Sequence, residues 1–155
     1  MREQFDLGFV DIGGWDTHVN QGAASGNLAN RLSDLSQGLA TFAESMGADV
    51  WRHTVVAVIS EFGRTFRENG NKGTDHGHGT AYWFLGGGLS AQAGGKVLGE
   101  QIEVTEKALF QNRDYPVLNE YRSLLGGLFA RMYGLNASQL QQIFPASQPG
   151  RLQLV

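Results

Sequence analysis

The sequence predicts an α/β domain built on a mostly parallel sheet with flanking helices. Three observations carry that prediction. Thr54-Val55-Val56-Ala57-Val58-Ile59 is a continuous apolar, β-branched run, the pattern of a strand buried on both faces. Before it, Leu28, Leu32, Leu35, Leu39, Phe42 and Met46 recur at steps of three and four, the pattern of an amphipathic helix. Before that, Phe5 to Ile12 alternates well enough for a strand. Strand, helix, strand in this order makes a βαβ unit, for which a right-handed crossover is expected.

Each element has its own punctuation. Gly13-Gly14 ends the first strand, and Gly47 is a stop for the helix. Ala81 to Leu85 is a further, aromatic-rich strand candidate, and Lys96-Val97-Leu98 a short one. Asp114-Tyr115-Pro116 reads as a helix start with Asp114 as N-cap. That helix runs through Val117, Tyr121, Leu124, Leu125, Leu128 and Met132 and ends at Gly134. Ser138 to Phe144 reads as a short helix before Pro145. Residues 1–146 form one expected domain, and residues 147–155 an expected frayed tail.

Composition narrows the functions. The chain has 155 residues, enough for one domain with its own core, and its 41% hydrophobic content is that of a globular chain. The net charge is −3 without a Lys/Arg cluster, which argues against binding nucleic acid through phosphate neutralisation. No apolar run is long enough to span a bilayer. With no cysteine, disulfides, thiolate ligands and cysteine nucleophiles are excluded. Glycine, at 22 residues, is about twice as frequent as the usual ~7%. It gathers around acid- and histidine-bearing segments, which suggests loops wrapped closely about a site.

Those segments hold the candidate chemistry. Asp16-Thr17-His18 follows Gly13-Gly14, and a carboxylate and an imidazole two residues apart on a tight loop can face one cation. The mixed O/N set suits Zn²⁺ or Mn²⁺, with Ca²⁺ or Mg²⁺ as alternatives. Otherwise Asp16 makes an Asx-turn and His18 packs on Trp15. Asp75-His76-Gly77-His78 places three potential ligands in four residues; not all three can bind one ion, and His78 is alternatively a supporting residue. Glu61 at the end of the apolar run is a ligand, a general base, or the ion-pair partner of Arg64. Arg64 is alternatively an anion-binding group. Ligands in open parallel sheets sit beyond the carboxyl ends of strands, so Asp16, His18 and Glu61 are expected on one sheet edge. The absence of G-x-S-x-G, P-loop and dinucleotide signatures leaves those chemistries without support.

Three ordered motifs, Gly13-Gly14-Trp15-Asp16-Thr17-His18-Val19-Asn20-Gln21, Ser60-Glu61-Phe62-Gly63-Arg64-Thr65 and Gly73-Thr74-Asp75-His76-Gly77-His78, resemble the signature of the uncharacterised bacterial family DUF1501. The glycine-rich stretch Gly86 to Gly99 and the segment Asp114 to Gly134 are similar to its continuation. The resemblance implies kinship with the alkaline phosphatase and sulfatase superfamily, an alkaline-phosphatase-like fold, and one or two metals held by Asp and His. It implies that Asp16 and His18 match a ligand pair. In one register Asp75-His76 matches the superfamily's Asp-His pair. In the other, preferred on strand position, Glu61 takes the Asp place and His76 or His78 supplies a later histidine. The chain then corresponds to the carboxyl-terminal half of a longer protein whose nucleophile lies elsewhere. Such relatives often carry a twin-arginine export signal, which implies a periplasmic parent; a complete chain with this start implies a cytoplasmic one.

The resulting expectation is a metal-binding part of a phosphate- or sulfate-ester hydrolase acting on an anionic small molecule. Asp16, His18, Asp75, His76 and His78 are the ligand candidates, with Glu61 and Arg64 as catalytic candidates. The alternative is a non-catalytic binding or assembly module with at most a structural metal.

Overall fold

A computed structural model describes residues 6–150, 152, 154 and 155. The element order is α1 (Asn27–Trp51), β1 (Val56–Val58), β2 (Gly63–Arg64), β3 (His76–Gly77), β4 (Trp83–Leu85), α2 (Tyr121–Tyr133) and α3 (Ala137–Ile143).

The periodicity of α1, the end of α2 and the span of α3 follow the sequence pattern. The six periodic residues of α1 from Leu28 to Met46 are all half-buried, although nothing in the helix is fully buried. Gly47 breaks the ladder with φ 71 and ψ 160, a conformation that disfavours any residue with a Cβ. Helix resumes after it, so Gly47 is a kink rather than a stop. Helix α2 ends at Gly134, as read from sequence, and Gly134 takes the left-handed conformation. Helix α3 starts on a full capping box between Asn136 and Gln139.

The parallel, alkaline-phosphatase-like sheet is not what the chain forms. Among the described residues there are two two-stranded sheets, and both are antiparallel. Strand β1 lies inside the apolar run 54–59 and pairs with β4, Val56 opposite Leu85 and Val58 opposite Trp83. The chain between them doubles back through β2 and β3, so β4 returns against β1 and no βαβ unit closes. Nor is the run buried on both faces: Ala57 and Ile59 are exposed. In the expected first strand, Phe5 lies outside the described residues. Residues 6–12 form no strand, and Phe9 is 87% exposed. Alternation offers a face, but a strand also needs a neighbour for its N–H and C=O groups, and none is supplied among the described residues. Lys96 to Leu98 likewise forms no strand, with Val97 77% exposed.

The core lies elsewhere, between α2, the β1–β4 pair and the carboxyl-terminal residues. Ala93, Leu128 and Leu154 are buried there, packed by Val55, Phe84, Leu124 and Phe129. Where the expected tail is described it is held: the Ser90 amide donates to Leu154 O and the Gly150 amide to Ser123 O. Helix α2 also starts later than expected, capped by Glu120. Asp114 is no helix cap. It bridges Thr65 and Phe110 as an isolated β-residue and is fully buried.

Candidate metal centre

Three loops are sewn together by backbone. The Asn20 amide donates to Asn71 O, the Gln21 amide to Lys72 O, and the Thr74 amide to Thr17 O. The Gln21 carboxamide oxygen adds a second seam, accepting from Thr17 Oγ1 at 2.8 Å and from Thr74 Oγ1 at 2.6 Å. The close approach depends on Gly73, where any Cβ would overlap the His18 carbonyl. The β2–β3 register sets Arg64 opposite His76. Asp16, His18 and His76 thus converge through an antiparallel pair and a loop clasp, rather than at the carboxyl edge of a parallel sheet.

The convergence centres on one oxygen. Asp16 Oδ1 lies 2.9 Å from His18 Nε2, 2.8 Å from His76 Nε2 and 2.5 Å from Arg64 Nη1. One ligand atom from each of Asp16, His18 and His76 falls within 4.8 Å of the others. A tetrahedral zinc ion holds its ligand atoms about 3.3 Å apart, so small side-chain adjustments fit the trio around one ion. His76 is held by stacking on Phe62, ring centroids 3.9 Å apart at 11°. The Arg64 guanidinium is fixed from behind by Thr74, with Nε on Thr74 Oγ1 at 2.8 Å and Nη2 on the Thr74 carbonyl.

Asp75 takes a supporting place. Its Oδ1 sits 3.0 Å from His18 Nδ1, leaving Nε2 of the same ring aimed at Asp16. A carboxylate behind a histidine is the usual orienting partner of a metal ligand. The Asn69 amide holds Asp75 Oδ1 at 3.0 Å and also donates to His18 O. Arg64, with help from the two histidines, keeps the Asp16 carboxyl below the ordinary range. The Asn69 hydrogen bond, then His18, does the same for Asp75. Both are carboxylates at neutral pH.

His78 and Glu61 are not in this cluster. The His78 ring binds Asp114 instead, Nδ1 to Oδ2 at 2.8 Å. Burial alone would raise the Asp114 carboxyl, but bonds from the His78 ring and amide and from Arg113 outweigh it and hold it low. Glu61 is exposed and makes no hydrogen bond or ion pair with the described residues. Its expected partner Arg64 serves Asp16 and Thr74. Sequence gives Asn69 and Arg31 no role and marks Gln21 only as the last residue of the first motif. Arg31 lines an open depression of about 400 Å³ with Gly14, Asp16, Thr17, His18, Val19 and Asn27. For Asn69 a signal existed in the Asn/Gly-rich turn Asn69-Gly70-Asn71, where an Asx side chain commonly binds nearby amides. Nothing in sequence marks Arg31, because its place depends on how α1 lies against the Asp16 loop.

No helix among the described residues is long and apolar enough to cross a membrane. The model of the family described as "Protein of unknown function (DUF1501)" matches residues 1–144. No curated protein and no solved structure matches the chain.

Proposed function

The chain belongs to the DUF1501 family, and from that premise we propose that Asp16, His18 and His76 form a divalent-metal centre that holds an anionic ester. One observation carries the reading. A neutral imidazole has a single N–H, yet both nitrogens of His18 face carboxylates, Nδ1 at Asp75 and Nε2 at Asp16. If Asp75 takes the single N–H of a neutral ring, the Nε2 lone pair points at a carboxylate oxygen, and either a second ring proton or a metal ion between them relieves the repulsion. His76 Nε2 points at the same oxygen. Two imidazoles and one carboxylate suit Zn²⁺ or Mn²⁺ and leave an open position, the arrangement of catalytic rather than structural sites.

The charges favour an anionic ligand. Asp16 and Asp75 are negative and Arg64 is positive, so a divalent ion makes the site positive by one. Arg64 and Arg31 flank it as guanidinium donors. A bound ion would supply Lewis acidity toward a phosphoryl or sulfuryl oxygen. Arg64 and Arg31 would orient the ester, while Asp75 and Asn69 would keep the His18 ring in place. Hydrolysis of a phosphate or sulfate ester is the reaction this set suits, with this chain supplying ligands and anion-binding groups, and with a nucleophile contributed from outside the cluster.

A second reading has its own observation. Arg64 occupies Asp16 Oδ1 at 2.5 Å, which favours an ion-free hydrogen-bonded clasp in a non-catalytic module. Elemental analysis after Zn²⁺ or Mn²⁺ loading separates the two. We expect about one equivalent of metal, lost in Asp16→Asn and His76→Ala, with affinity falling at least ~100-fold. Equal metal uptake by wild type and both variants, or none by wild type, overturns the metal centre.

A further inference from the structure

Strands β2 and β3 are two residues long, yet they carry Arg64 and His76, the two groups that meet at Asp16 Oδ1. A lone two-stranded ladder is marginal in water. Here a third segment closes it. The Phe66 amide, just past β2, donates to Arg113 O at 3.0 Å, and Asp114 bridges Thr65. The Gly79 amide, just past β3, donates to Tyr115 O at 2.7 Å. Between these main-chain ties lies one made by a side chain: the His78 amide donates to Asp114 Oδ2 at 2.7 Å. Among the described residues, Asp114 is the one fully buried side chain. Burying a charge is costly unless it is paired and hydrogen-bonded. Oδ2 also lies 2.8 Å from His78 Nδ1, and Oδ1 accepts from Arg113 Nε at 2.9 Å. The packing leaves no slack. A Cβ on Gly77 would lie 2.8 Å from Asp114 Cβ and 2.9 Å from Arg64 O, and one on Gly79 would overlap Pro116 O. Strand β3 thus lies directly on the 114–116 segment, and a shift of Asp114 is passed on to it.

We propose that Asp114 is the positioning residue of the candidate centre: its grip on the His78 amide and its bridge to Thr65 hold His76 and Arg64 in register, so that both reach Asp16. Asp114 touches neither the ion nor the ester. It acts through the backbone, on the strand of His76 from one side and on the strand of Arg64 from the other. Asparagine keeps the shape of the side chain but accepts at only one of its two terminal atoms. Its NH2 group would therefore face a donor, either the His78 amide or Arg113 Nε. The charge and one of the ties are lost together, which leaves a buried donor unpaired. The effect on metal uptake rests on the metal-centre reading, but the placement of the two histidine rings does not.

Two readouts test this, with Leu128→Ala as the control for loss of stability alone, since Leu128 lies in the core away from these loops. In the first, without metal, magnetic resonance reports contacts between ring protons of His18 and His76, whose ring centroids are 5.0 Å apart. We expect the contacts in wild type and in Leu128→Ala, and their weakening in Asp114→Asn. In the second, Asp114→Asn should lower Zn²⁺ affinity about tenfold and alter the visible spectrum of the Co²⁺-loaded protein. Leu128→Ala should leave both as in wild type. Unchanged ring contacts or Zn²⁺ affinity in Asp114→Asn, or equal losses in Leu128→Ala, overturn the proposal. If Asp114→Asn does not fold, wild type carries the test through reciprocity: a tie that favours metal binding is itself favoured by metal. Zn²⁺ should then slow hydrogen exchange of the His78 amide about tenfold more than that of the α3 amides. Equal slowing overturns the proposal. Failure of wild type to take up Zn²⁺ overturns the metal centre, and the ring contacts still decide the role of Asp114.

Discussion

Asn69 ties the candidate centre together through a single carboxamide. Its nitrogen reaches His18 O and Asp75 Oδ1, and its oxygen accepts from the Asn71 and Gly73 amides. None of these partners is a proposed metal ligand atom, so Asn69 acts by holding the residues that are. Asn69→Ala is expected to weaken metal binding about 10- to 100-fold while leaving stoichiometry unchanged, measured by competition with a chelating dye. At Gly77 the constraint is steric. Gly77→Ala forces Asp114 or the Arg64 backbone to move, and we expect a loss of about 1–3 kcal/mol in denaturant unfolding. Asp16, His18 and His76 were legible as candidate ligands from their residue types and glycine-flanked spacing, and the structure brings the three together. Which of the flanking acids supports them was not, because Asp75 and Glu61 look alike in sequence. Only the pairing of Arg64 with Asp16 and of Asp75 with His18 separates them.

At the scale of elements, α2 depends on its cap. Glu120 accepts from the Ser123 amide at 2.8 Å and pairs with Arg122 Nε at 2.7 Å. Burial works to raise its carboxyl, but Arg122 and the Ser123 and Arg122 amides win and depress it. A depressed folded value means that the stabilisation is present above the ordinary carboxylate range, about 4.3. It is lost as pH falls through the folded value. Glu120→Ala should therefore cost about 1 kcal/mol at neutral pH, and the difference from wild type should vanish in acid, as thermal unfolding against pH will show. The kink in α1 is a second such point. Gly47 holds φ 71 with open space where a Cβ would go, so Gly47→Ala meets backbone strain without a clash. We expect it to destabilise by about 1 kcal/mol, read by chemical unfolding; a gain in stability would mean that the helix straightens at no cost.

Over the whole molecule, surface dominates core. The chain exposes 10750 Å², whereas a compact monomer of 16.8 kDa exposes about 7,700 Å². The excess includes apolar residues such as Leu7, Phe9, Val10 and Val97. Among the described residues the buried hydrophobic ones are few, led by Leu128, Leu140 and Leu154. The isolated chain is therefore expected to bind an apolar fluorescent dye in its native state, with the signal falling in Phe9→Ser/Val10→Ser. Dye binding no greater than that of a compact protein of similar mass would show that this surface is covered in solution.

Helix periodicity, the helix stop at Gly134, a short helix before Pro145, and the clustering of ligand types in glycine-flanked loops were all determined by sequence alone. These are local properties: 3.6-residue spacing, cap chemistry and φ preference act within a few neighbours. Sheet direction was decided only in three dimensions, because the apolar run 54–59 reads the same whether its partner is parallel or antiparallel. The same holds for Asp114, which has the look of a cap beside Pro116 and becomes the buried anchor of His78 only when Thr65 and Phe110 close around it. A strand partner and a buried charge are both set by residues far away in the chain, and the energy that fixes them exists only once those residues meet.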